Sequence, residues 1–159
     1  MTVEIVNKRL QGVFANEETD PKTDAEDIFT DGVWNIPIVL DAAAGTDYVY
    51  GSIKVPWRVK SLDATICPGA ALTAADATAN TLTLAKADGA GGAATTVASI
   101  VTNLASGNWV ADTFKALTLS ATPANVLVAD GQILTLKKTH AGAGTVTPAS
   151  TLTIRYRKY

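Results

Sequence analysis

The single histidine, His140, is the first residue to ask about acid–base or metal chemistry, and it stands in Lys138-Thr-His-Ala-Gly-Ala-Gly. Zinc and its relatives need several His, Cys or carboxylate ligands at short, fixed spacings. No second His or Cys lies near His140, so no metal site is expected. As a general base, His140 would need a nucleophile, and the chain has no Gly-x-Ser-x-Gly elbow. An active site would have to bring it in space to acids such as Asp112 or Asp130. The simpler expectation is an exposed turn residue. Cys67 precedes Pro68 on an apolar run and reads as a small core residue rather than a thiolate. A lone cysteine also rules out an intrachain disulfide.

Gly89-Ala-Gly-Gly-Ala-Ala satisfies a relaxed dinucleotide fingerprint, with Asp112 downstream as a ribose ligand. That fingerprint works only where the glycine loop opens a helix in a βαβ unit. Thr95, Thr96, Val97, Ile100 and Val101 favour a strand there instead, so the glycines read as a hairpin tip and no cofactor is expected. There is no P-loop, and the carboxylates crowd the N-terminal segment rather than forming a glycosidase pair. Arg155-Tyr-Arg-Lys-Tyr is the one basic run with aromatics. On a strand Tyr156 points away from Arg155 and Arg157, so stacking and charge do not share a face. Nucleic acid is therefore not an expected partner, and no enzymatic activity is expected.

The elements that would carry these residues follow from pattern. The chain of 159 residues is long enough for one core. It is rich in Ala, Gly and Thr rather than in the Leu, Glu and Lys of helical bundles. The net charge of −2 hides an asymmetry. Met1 to Asn35 carries eight acids against Lys8, Arg9 and Lys22, a sum of −5. From Gln132 onward there are five bases and no acid, a sum of +5. The N-terminus does not resemble a secretory signal, and no apolar run approaches the length of a membrane span. No membrane partner is expected, and assembly in a cytoplasm is.

Residues 1–32 show neither a period of 2 nor one of 3.6 and read as an extended arm, with Thr23 and Glu26 fitting a capping box for a short helix. Apolar anchors at Ile5, Val6, Leu10, Val13 and Phe14 suit a segment that binds a partner. From 33 to 159, short β runs alternate with turn residues, the pattern of a β-sandwich. The main runs begin near 33, 47, 57, 81, 95, 114, 132 and 151, about eight strands. One face should carry Trp34, Ile36 and Ile38, another Trp57, Val59 and Ser61, and the last strand Leu152, Ile154 and Tyr156. Asp130-Gly131 should turn the chain. Trp109 reads as core or interface, and residues 70–79 fit a loop or a helical turn. Eight antiparallel strands suit an all-β, jelly-roll-like sandwich, with a seven-stranded immunoglobulin-like sandwich as the other arrangement.

The stretch Phe114-Lys-Ala-Leu-Thr-Leu through Val126-Leu-Val-Ala-Asp-Gly-Gln-Ile-Leu-Thr-Leu, followed by Gly142-Ala-Gly-Thr-Val-Thr-Pro-Ala-Ser-Thr-Leu-Thr-Ile, resembles the capsid decoration (head-auxiliary) proteins of tailed bacteriophages. There a strand ends in Ala-x-Gly-Asp, and Asp130-Gly131 reverses that order. The resemblance covers about half the chain. It implies a small sandwich, often a homotrimer, on the outer capsid surface of the virion, bridging subunits of the major capsid protein. The alternative expectation is a fibre or tail module that binds host-surface polysaccharide through Trp109 and Tyr159.

Overall fold

The computed structural model describes residues 31–89 and 92–158, and the arm anchors Ile5, Val6, Leu10, Val13 and Phe14 lie outside the described residues. Gly32–Tyr159 form one compact unit. Among the described residues ten strands run in order: β1 (Asp31–Ile38), β2 (Tyr48–Lys54), β3 (Val59–Pro68), β4 (Asn80–Ala87), β5 (Thr95–Val101), β6 (Lys115–Ala116), β7 (Thr118–Leu119), β8 (Leu127–Val128), β9 (Ile133–His140) and β10 (Ser150–Lys158). The expected strand near 114 is split into β6 and β7, and β8 is a two-residue addition to the expected set. Residues 70–79 form a loop with one 3-10 turn at Asp76–Thr78. A single helical turn, α1 (Pro123–Val126), starts on a proline, whose fixed φ and missing N–H suit a first helical position.

The strands form two five-stranded sheets. One runs β1-β10-β3-β6, with β8 also on β3, and the other runs β2-β9-β4-β5-β7. Partners nest along the chain: β1 with β10, β2 with β9, β3 with β6 and β8, β4 with β5. From β1 to β10 the chain is thus one long hairpin folded over into two layers, which is the jelly-roll order and not the immunoglobulin one. Such an order places the connections at two opposite ends of the sandwich.

The period-2 patterns put the core between the layers. Ile36 and Ile38 of β1, Leu134 and Leu136 of β9, and Leu152, Ile154 and Tyr156 of β10 are buried. Trp34 packs on the core with its ring stacked on Tyr156 at 4.0 Å. Val59 and Ser61 also face inward, but Trp57 does not. It lies ahead of β3, beside Pro56, where no ladder imposes an alternating phase, and Lys158 Nζ sits 5.1 Å from its ring centre. In β3 the register slips between the partners of Ser61 and Asp63 in β10, with Arg155 opposite Asp63 and Tyr156 opposite Ser61.

The extra residue, Leu62, forms a bulge that resets the phase, so Ala64 and Ile66 continue the inward set. Cys67 falls on the outer side of this strand and is half-buried, not a core residue as its apolar neighbours suggested. Trp109 is 1% exposed and bridges to Leu72 through paired backbone bonds, which makes it a core residue.

Candidate docking surface

Four connections meet at one end of the sandwich: residues 39–47, 69–79, 102–114 and 141–149. What holds them is a polar cluster that starts from Lys138. Along β9 the alternation Leu134, Leu136, Lys138 points all three side chains inward, so a lysine ends a hydrophobic row. Its ammonium lies 2.6 Å from Asp41 Oδ2, and both side chains are fully buried. Lys138 Nζ also donates to the carbonyls of Ala44 and Thr145 at 3.1 and 3.2 Å, so its three protons each meet an acceptor.

Asp41 is satisfied in the same way. Its Oδ1 accepts from the Tyr50 hydroxyl at 2.6 Å, and its Oδ2 accepts from the Thr147 amide at 2.8 Å. Burial opposes ionisation of the carboxyl, but the bonds from Lys138, Tyr50 and Thr147 outweigh it and hold the pKa below the ordinary 3.8. Burial, helped by the Asp41 charge, pushes the Tyr50 hydroxyl upward, so it stays protonated and keeps donating. Asn80 extends the cluster, donating from Nδ2 to Thr145 O at 2.6 Å and to Thr147 Oγ1 at 3.2 Å. One buried ion pair thereby ties the 39–47 connection to the 141–149 connection.

Two glycines let these connections approach. Gly144 has φ of +64°, and a Cβ there would sit 2.5 Å from Ala44 O. Gly142, with φ of +59°, is pressed against the backbone of Ala77 in the 69–79 loop. Along the rim of the first sheet the chain continues the same stitching. The Gly69 amide donates to Ala149 O at 2.8 Å, and the Asp112 amide donates to Pro68 O at 2.8 Å. Asp112 itself takes a positive φ of 57°, a conformation Asp tolerates better than most residues.

On this scaffold the loops present apolar side chains to solvent. Among the described residues nine large hydrophobic side chains are exposed, and six of them, Val39, Leu40, Leu104, Val110, Phe114 and Val146, belong to these four loops. Leu40 and Phe114 are 64% and 66% exposed. The sheet order β1-β10-β3-β6 sets the order of the loop ends, so Val39 and Leu40 stand beside the 141–149 connection, with Val110 and Phe114 further along the rim. Scattered single hydrophobics need no explanation, but a concentration at one end marks an interaction surface.

The residues singled out for chemistry are elsewhere or otherwise engaged. His140 ends β9 and its Nδ1 lies 2.7 Å from Asp47, with which it pairs instead of with Asp112 or Asp130. Among the described residues no group of three or more His, Cys, Asp or Glu could hold a metal ion. The strands on either side of the glycines, β4 and β5, pair antiparallel with Thr81 opposite Val101, so the run leads into a strand and not into the helix a phosphate loop needs. Arg155 pairs with Asp63 at 2.9 Å, and Tyr156 is buried away from it. A shallow groove of about 340 Å³ lies beside β5, lined by Ser99, Asn103, Lys115 and Thr118. Lys115 spends its ammonium on the carbonyls of Ser106 and Gly107 at 2.6 and 3.3 Å.

The Lys138 and Asp41 pair joins residues 97 positions apart, so their partnership is not legible in the sequence. The signal was present in the inward phase of Lys138 two and four residues after Leu136 and Leu134. No family model matches the chain, and no curated protein and no solved structure matches it significantly.

Proposed function

We propose that this chain is a structural subunit that works by docking on other protein surfaces in a large assembly, and that the assembly is a bacteriophage capsid whose major-capsid subunits it bridges and stabilises. The observation that carries the docking part is the gathering of six exposed hydrophobic side chains on four loops at one end, two of which a buried ion pair ties together. Loops held in one conformation lose little entropy on binding, so a modest apolar area gives usable affinity. Many copies on a repeating shell would add to it through avidity. The capsid part rests on the likeness of the C-terminal half to decoration proteins, and the arm anchors Ile5, Val6, Leu10, Val13 and Phe14 are proposed as a second contact with the shell.

Of the two residues named for the polysaccharide reading, Trp109 is core and Tyr159 lies outside the described residues. Among the described residues the exposed aromatics Trp57 and Phe114 stand at opposite ends of the sandwich and form no shared platform. The test is co-sedimentation with empty capsids. Leu40→Asp with Phe114→Asp should abolish binding while leaving the circular dichroism and melting unchanged. Val33→Asp with Val49→Asp, exposed sites outside the loop end, should bind normally. Undiminished binding by the loop-end variant would refute the docking surface, and deletion of residues 1–32 tests the arm separately.

A further inference from the structure

The groove of about 340 Å³ beside β5 exists because a ladder stops short. Ser99 pairs with Thr118 across β5 and β7, so the next position on that ladder would set Ala116 opposite Val101. Ala116 instead pairs with Thr65 in the other sheet, because the chain crosses between the layers at the buried Leu117. Val101, Ala116 and the 3-10 turn Leu104–Ser106 border the gap that results.

The gap is lined by donors. Ser99, Ser106 and Thr118 bring hydroxyls, and among the described residues no carboxylate lines it. Asn103 Oδ1 is taken by the Ser106 amide, which leaves the Nδ2 protons to give. Lys115 places two of its three protons on the carbonyls of Ser106 and Gly107. The ion pairs among the described residues join Lys138 to Asp41, His140 to Asp47 and Arg155 to Asp63, and none neutralises Lys115. The nearby Asp76 turns its Oδ1 to the Leu104 amide at 3.0 Å. Two of the exposed hydrophobics adjoin the gap in sequence: Leu104 opens the turn, and Phe114 precedes Lys115.

We infer that this groove receives an Asp or Glu side chain of the docking partner, with apolar partner residues two positions to either side lying over Leu104 and Phe114. This rests on the loop end being a docking surface and names what that surface recognises. A carboxylate only accepts and carries one charge, so it matches a donor-lined groove with one ammonium. An ammonium bonded to neutral carbonyls gains more from a carboxylate than from a further neutral group. In an extended segment, residues two apart share a face, which sets the order apolar-x-acid-x-apolar.

Backbone amide shifts of the full-length chain, followed by NMR as acetyl-Leu-Ser-Asp-Ser-Leu-amide is added, test this. The peptide should give saturable shifts at Val101, Ser106 and Ala116. Its Asn analogue should bind about ten-fold more weakly, the low end for a charge-assisted bond because the groove is open to water. Lys115→Gln should bind the Asp peptide no better than the Asn analogue, and Lys115→Arg should keep wild-type affinity. In co-sedimentation with empty capsids, Lys115→Gln should weaken binding by a similar factor with unchanged melting. Equal affinity for the two peptides, absence of saturable shifts at millimolar peptide, or equal loss in Lys115→Gln and Lys115→Arg would overturn the inference. Normal capsid binding by Lys115→Gln beside failed binding by Leu40→Asp/Phe114→Asp would overturn it as well, and would leave the docking surface standing.

Discussion

Replacing Lys138 by Met would remove the charge at the centre of the loop end while keeping the length of the buried stem. The substitution leaves the Asp41 carboxylate, fully buried, without its cation. Breaking a buried pair from one side costs about 3–5 kcal/mol, and the carbonyls of Ala44 and Thr145 lose their donor at the same time. For a domain of this size each kcal/mol moves the melting temperature by about 4 °C. The expected fall is therefore about 12–20 °C. Asp41→Asn removes the opposite charge, and the double variant should lose clearly less than the sum, by at least about 2 kcal/mol, since both changes act on one interaction. Urea and thermal unfolding followed by circular dichroism give all four corners of the cycle. A Lys138→Met protein within about 1 kcal/mol of wild type, or additive effects, would refute the view that this pair holds the loops.

The wild type should also respond to acid in a defined direction. The folded pKa of Asp41 lies below its ordinary 3.8, so its contribution to stability is present above that value and is lost as pH falls through the folded pKa. Unfolding midpoints measured from pH 7 to pH 2 should drop at the acid end. In Lys138→Met the unpaired carboxyl instead gains from taking up a proton, so its deficit relative to wild type should narrow as pH is lowered. Gly144→Ala should cost at least about 2 kcal/mol, because it adds a clash with Ala44 O to the strain of a left-handed conformation. Gly131→Ala, at φ of +78° but with no atom near the added carbon, should cost only about 1–2 kcal/mol. Equal losses at the two glycines would contradict the close approach of the loops.

Most of the framework could be read from residue order. The inward sets Trp34, Ile36, Ile38 and Leu152, Ile154, Tyr156 followed from strict alternation, and Asp130-Gly131 turns as expected, with Gly131 in the left-handed region. Alternation misled where the ladder was interrupted: Trp57 sits outside it, and the bulge at Leu62 changes the phase of β3. Pairing across the sandwich was not legible, because Asp41 and Lys138 are 97 residues apart and each looks like surface charge alone. The exposed loop hydrophobics were hidden for the same reason. Four separate segments contribute to them, and only the nesting of strands brings those segments to one end.

That nesting also governs how the chain is made. Because β10 lies between β1 and β3, β1 finds its neighbour among the described strands only once β10, far along the chain, has left the ribosome. Contacts between the two extremities of a chain form slowly and late. A chain lacking β10 would therefore leave β1 unpaired in that sheet and the buried Ile36 and Ile38 less covered, prone to aggregation and proteolysis, so that quality control would remove such copies before they could enter an assembly.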